Sequence, residues 1–168
     1  IGHSLGGTLA PVLALWLATR MPDRTIRATS FAGMTPGNSA FAALFAARQM
    51  PVRRVYNTLD SVSYGWDRVW ATHDFYQPAP KGGDVVAALL LATEARLKLG
   101  RYDYTPVGLP VALTGQVRPP TIPCGLVAYV VENLHQHLPD TYLQLLGAPP
   151  LPFSILWGSM TVPRTHAA

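Results

Sequence analysis

Residues 2–6 read Gly-His-Ser-Leu-Gly, with Gly7 directly behind and an apolar stretch after it. This G-x-S-x-G spacing is that of a nucleophile elbow, a tight strand-to-helix turn that holds a serine hydroxyl above a sheet. The turn constrains a fold strongly: it demands a strand before it, a helix after it, and glycines where side chains would collide. Three fixed residues of common types arise by chance in roughly one chain in twenty of this length, so the context must carry the pattern. Behind Ser4, the residues Leu9, Val12, Leu13, Trp16 and Leu17 recur at helical spacing over residues 5–21. The plainer alternative is a Gly-rich turn that starts a helix, with Ser4 as its N-cap. A phosphate loop is disfavoured, because no G-K-[ST] or G-x-G-x-x-G follows. In front of the elbow stands only Ile1, and there is no initiator Met. The sequence therefore reads as the C-terminal part of something longer, its N-terminal strands missing.

Strands and helices then alternate. Pro11 predicts a kink or a widened first turn in the first helix, and Pro22-Asp23 ends it. Residues 26–32 read as a short buried strand, 33–38 as a turn, 39–49 as a second helix and 52–57 as a strand. Residues 58–81 have no clean period but carry Tyr64, Trp66, Trp70, Phe75 and Tyr76, which predicts a long aromatic loop. Residues 84–99 form the clearest helix after the first, with Glu94 and Lys98 four residues apart and Gly100 at its end. Strand-like runs over 104–117 are divided by Pro110 and Gly115, and residues 119–123 form a linker. Residues 124–134 read as a helix. This alternation gives an α/β class with a largely parallel sheet and helices on both faces. One domain covers residues 1–147, and a Pro-rich irregular tail covers 148–168.

Composition excludes more than it assigns. The net charge is +4, but the basic residues are scattered singly or in pairs such as Arg53-Arg54. No basic stripe with interleaved aromatics appears, which argues against a nucleic-acid partner. A single Cys124 rules out an internal disulfide, and the histidines lack a third ligand at metal-binding spacing. No cofactor or metal is implied. The uncharged stretch 141–163 is broken by Gly147, Pro149, Pro150 and Pro152, so no transmembrane helix is expected. Only 13% of residues are charged, which fits an apolar-facing site or surfaces made for a longer chain.

Four segments in order resemble the class 3 lipases, the family that includes the filamentous-fungal triacylglycerol lipases. They are GHSLGGTLA, FAGMTPGNSAFAALF, RRVYNTLDSV and HLPDTYLQLLG, spread from residue 1 to about 147. The third is similar to the family segment RVxNxxDxVP, although Ser63 stands where the family has Pro. The resemblance implies an α/β-hydrolase-like fold and hydrolysis of carboxylic esters, often lipids at a lipid–water interface. It makes Ser4 the nucleophile, Asp60 the acid and His137 the base, with the Leu5 N–H as an oxyanion donor. The family's lid and second oxyanion-hole residue precede the elbow, so the isolated chain is expected to be poorly soluble and nearly inactive.

Each role has a competitor. Asp60 in TLDS suits a turn as well as an acid, and Asp67 is the next carboxylate. His135 and His137 cannot both point the same way on a helix, and the distance to PDTYL favours His137. His135 is then a surface or helix-end residue, stabilised there if charged. His3 is too near Ser4 in sequence to be its base and is expected beneath the elbow; His73 has no partner signal, and His166 falls in the tail. Tyr64 and Trp66, close to Asp60, are candidate walls of an acyl pocket, though aromatic clusters are more often loop anchors.

Overall fold

The structure is a computed structural model that describes residues 1–77, 80–119 and 122–149. The Pro-rich tail from residue 150, with His166, and parts of the aromatic loop and the linker lie outside the described residues.

Four parallel strands form one sheet in the order β1-β2-β3-β4: β1 (Gly2–His3), β2 (Ala28–Phe31), β3 (Val52–Asn57) and β4 (Leu109–Leu113). Helix α1 (Leu5–Arg20) follows β1, and α2 (Ser39–Ala47) follows β2. After β3 come two 3-10 turns, Ser61–Tyr64 and Val69–Asp74, then α3 (Gly83–Leu99). Helices α4 (Gly125–His137) and α5 (Pro139–Leu145) follow β4. Because the strands run the same way, the residues that follow β1 and β3 emerge at the same edge of the sheet. That edge carries the candidate site.

The strand an elbow requires is present, two residues long. Gly2 and His3 pair with Ser30 and Phe31, and the Ser4 N–H extends the ladder to the Phe31 carbonyl at 3.0 Å. Helix α1 continues through Pro11 as one element from Leu5 to Arg20. The face it buries differs from the apolar spacing in the sequence. Gly7, Pro11 and Ala14 are buried, while Leu9, Val12, Leu13 and Trp16 are exposed. The cause is close approach: a Cβ on Gly7 would lie 2.3 Å from the Phe31 carbonyl oxygen. Small and compact residues therefore face the sheet, and the large ones are turned outward.

Away from the site edge, Ala14, Ala28, Phe45, Val52 and Val107 pack together, with Leu15, Ile26, Phe41 and Met50 against them. Asn38 caps α2 by accepting the Phe41 N–H at 2.9 Å, and Phe41 meets Phe45 edge to face one turn on. Pro110 does not divide the last strand. It sits inside β4, which among the described residues pairs with β3 alone and so tolerates a missing N–H. Helix α4 continues beyond residue 134 to His137, which puts both candidate histidines in its last turn. No helix of the described residues is long and apolar enough to cross a membrane, and they hold no group of three or more metal-ligating side chains.

Candidate active site

Ser4 lies between β1 and α1 with φ 57° and ψ −123°, a backbone region that a side chain enters only at a cost of about 1–3 kcal/mol. The turn is tight enough that a Cβ on Gly2 would sit 2.0 Å from the Gly6 carbonyl oxygen. Although Ser4 occupies the N-cap position, its hydroxyl makes no cap hydrogen bond to the helix. The Oγ is instead 2.8 Å from His137 Nε2. Leu5 opens α1, so its N–H has no acceptor within the helix and stands at the positive end of the helix dipole.

His137 closes α4, and its Nδ1 lies 3.0 and 3.1 Å from the two carboxylate oxygens of Asp60. One unbroken line of hydrogen bonds thus runs from Ser4 through both ring nitrogens to Asp60. A carboxylate only accepts, so Nδ1 carries the proton and Nε2 presents a lone pair to the serine hydroxyl. Asp60 is fully buried and receives three further donors: the Val62 N–H at 3.0 Å, the Ser63 hydroxyl at 3.1 Å and the Tyr142 hydroxyl at 2.7 Å. Asp60 therefore forms a turn and meets a histidine at once, which joins two readings that the sequence sets apart. The turn is anchored from below by buried Arg54, whose guanidinium donates to the Ser63 carbonyl and lies 4.6 Å over the Tyr56 ring.

Tyr142, on α5, is the residue of this edge that sequence reasoning missed, although it stands in the Tyr-Leu pair used to choose His137. Its hydroxyl donates to Asp60, accepts the Asn57 N–H at 3.0 Å and lies 3.2 Å from Ser63 Oγ. Burial and the neighbouring Asp60 charge push the phenol well above its ordinary pKa, so it remains a donor at any working pH. Tyr142→Phe should cost about 1.5–3 kcal/mol by removing this buried charge-assisted bond and stranding the Asn57 N–H. For a domain of this size that is a fall in Tm of roughly 3–12 °C, read by thermal unfolding. An unchanged Tm would show that the phenol does not hold Asp60.

The remaining histidines fall elsewhere. His3 packs against the site, its ring 5.1 Å from His137 and edge-on to Tyr142 at 5.5 Å. Burial and the adjacent His137 lower its pKa, which keeps it neutral, and its buried Nε2 has no partner among the described residues. His135 is at the helix end as expected, but it is not a cation. Burial and the Arg118 charge push it down to about 4, and Thr141 donates to its carbonyl at 2.6 Å. His73 does have partners: its ring stacks on Trp70 and its Nδ1 lies 2.7 Å from Asp74. Asp67 accepts the Thr35 hydroxyl at 2.5 Å and pairs with Arg68, and neither partner is a histidine.

The two candidate pocket walls differ. Tyr64 is buried in the loop, edge-on to Tyr56 and Phe75 and covered by the Arg68 guanidinium, as an anchor would be. Trp66 is exposed and lies 6.4 Å from Tyr104.

Three comparisons bear on this arrangement. The family model described as lipase (class 3) matches residues 1–64. A solved crystal structure, that of M37 lipase, is similar with a TM-score of 0.68 and 28% identity, over 88% of this chain. The chain spans 47% of the length of that lipase. No curated protein matches it. The family match takes in the elbow, β3 and the Asp60 turn, and together with the parallel sheet it makes this chain class 3 lipase-like.

Proposed function

We propose that this chain carries the catalytic machinery of a serine hydrolase for carboxylic esters, with triacylglycerols as the substrate class. The observation that carries the reading is the hydrogen-bonded line Ser4 Oγ, His137 Nε2, His137 Nδ1, Asp60. Its chemistry follows from the donors and acceptors. A serine hydroxyl is a poor nucleophile until a base removes its proton as it attacks. His137 accepts that proton, and buried Asp60 holds the tautomer and stabilises the imidazolium that forms. Negative charge developing on the carbonyl oxygen is met by the Leu5 N–H at the start of α1, a donor worth about 3–4 kcal/mol in such sites. His137 then returns the proton to the departing alcohol. A water activated by the same imidazole releases the acid from the acyl-Ser4 intermediate. The lipase named among the neighbours and the family match over residues 1–64 support an ester substrate. The apolar elbow helix, with Leu5, Leu9, Leu13 and Trp16 exposed, suits a lipid–water interface.

The test is to treat the purified full-length protein with a long-chain alkyl phosphonofluoridate and assay it on triacylglycerol, phospholipid, feruloyl and short-chain esters. We expect one covalent adduct, on the Ser4 peptide by mass spectrometry, and fastest turnover of long-chain triacylglycerol. An adduct on another residue, or none on folded protein, overturns the serine reading. Preference for phospholipid, feruloyl or short acyl esters overturns the triacylglycerol assignment alone.

A further inference from the structure

The acid and the base reach the site on different elements, Asp60 just after β3 and His137 at the end of α4. Something must fix the distance between those elements, because a hydrogen bond at 3.0 Å weakens quickly if one of them slides. We infer that Asn57 and Gln136 form a buried clamp between β3 and α4, and that both are positioning residues for the His137–Asp60 pair. This rests on the hydrolase reading of that pair.

Asn57 is the last residue of β3, three before the acid; Gln136 is the residue before the base. Both are almost completely buried, at 0% and 1% exposure. Asn57 Nδ2 donates to the main-chain carbonyl of Gln136 at 2.9 Å and to its side-chain Oε1 at 2.7 Å. Asn57 Oδ1 accepts the Leu59 N–H at 3.1 Å, inside the turn that leads to Asp60. Every polar atom of the Asn57 carboxamide is therefore used, and its contacts run to both halves of the pair. The main-chain bond matters most. It holds the carbonyl one peptide unit from His137, so a displacement there is passed directly to the imidazole.

Gln136 is held in turn. Its Nε2 donates to the Gln116 carbonyl and to Glu132 Oε1, both at 2.7 Å, and Glu132 also accepts the Arg118 N–H at 3.1 Å. The segment after β4 is thereby tied to the same point. Packing closes the remaining freedom: a Cβ on Gly115 would lie 2.2 Å from Asn57 Oδ1 and 2.9 Å from Leu59 Cβ. A glycine at that position leaves the carboxamide room and no slack. Fully satisfied buried polar networks fix one geometry where an apolar contact would tolerate several.

The test is a double-mutant cycle on ester hydrolysis in the full-length protein, with Asn57→Leu, Gln136→Met and the pair combined. A misplacement near 1 Å costs about 10²-fold in rate, so each single variant should lose roughly 10–100-fold in kcat with KM within about 2-fold. The double variant should be no slower than the slower single, because the two residues act as one unit. Val52→Ala, in the core at the far end of β3, serves as the stability control. It should lower Tm comparably and keep its kcat below the melting temperature. Should Asn57→Leu fail to fold, Gly115→Ala presses on the same carboxamide and should show the same loss in kcat. Unchanged kcat in folded clamp variants overturns the inference, as does an equal loss in Val52→Ala. Ser4→Ala is run in parallel: activity surviving there refutes the hydrolase reading itself, whatever the clamp variants do.

Discussion

Ser4→Ala is expected to lower kcat/KM for ester hydrolysis by about 10⁴–10⁶ with little change in Tm, a combination that only a chemical role produces. The magnitude follows from what the hydroxyl does. On the proposed mechanism, loss of Oγ removes the acyl intermediate, and in serine triads loss of the nucleophile costs about as much as loss of the whole triad. What remains is the oxyanion donor and substrate binding, which alone leave a residual rate above that in water. The stability side follows from what the hydroxyl does not do. Ser4 Oγ makes no cap bond to α1, and its bond to His137 lies at the site edge, where that ring is still 16% exposed. Its strained backbone, at φ 57°, is as unfavourable for alanine as for serine, so the substitution neither adds nor relieves strain. Kinetics on a long-chain ester beside a thermal melt read both quantities. A folded alanine variant within 10-fold of wild type would remove Ser4 from the mechanism.

How far such a site can be read before the structure is seen depends on whether its parts are local. The elbow is local: the five residues Gly2 to Gly6, with Gly7 behind them, specify the turn, and β1, Ser4 and α1 follow in that order. Strand β3 covers residues 52–57 as its apolar pattern predicts, and the carboxylate of Asp60 falls where a strand-end residue should. Helical geometry says only that His135 and His137 point different ways, and it is the distance to PDTYL that favours His137. Tertiary packing separates them, with one ring between Ser4 and Asp60 and the other against Thr141. The buried face of α1 was illegible for a related reason. Hydrophobic spacing marks where large side chains are, whereas a helix pressed on a sheet buries whatever lets the backbones approach, here Gly7, Pro11 and Ala14. Tyr142, Asn57 and Gln136 are the furthest from local legibility. Their work consists of bonds across about 80 residues of chain, and nothing in the spacing of a tyrosine and two carboxamides announces them. Pro110 misled in the opposite direction. The sequence rule against proline in strands assumes two neighbours, and among the described residues β4 has only β3.

Asp60→Asn carries the second large effect and separates orientation from nucleophilicity, because it keeps size and shape while exchanging an acceptor for a donor. Asp60 receives four donors: the ring of His137, the hydroxyls of Tyr142 and Ser63, and the N–H of Val62. An amide fills the same volume but points an NH₂ group at this set, whichever way it is turned. If the NH₂ meets His137, the ring must offer its Nδ1 lone pair and carry its proton on Nε2. Nε2 then faces Ser4 Oγ at 2.8 Å as a donor and cannot take the serine proton. If the NH₂ meets the hydroxyls instead, Tyr142 loses its acceptor in a buried site, at a cost of about 1–3 kcal/mol. The same exchange of acid for amide drops kcat about 10⁴-fold in serine triads of other folds. We expect a loss of that order in single-turnover acylation, with substrate binding unchanged. Asp67→Asn is the matched control. Its carboxylate serves Thr35 and Arg68 and no histidine, so its acylation rate should stay within about 3-fold of wild type. Near-wild-type acylation in Asp60→Asn, or a collapse in Asp67→Asn, would transfer the acid role and break the line from Ser4 through His137 to Asp60.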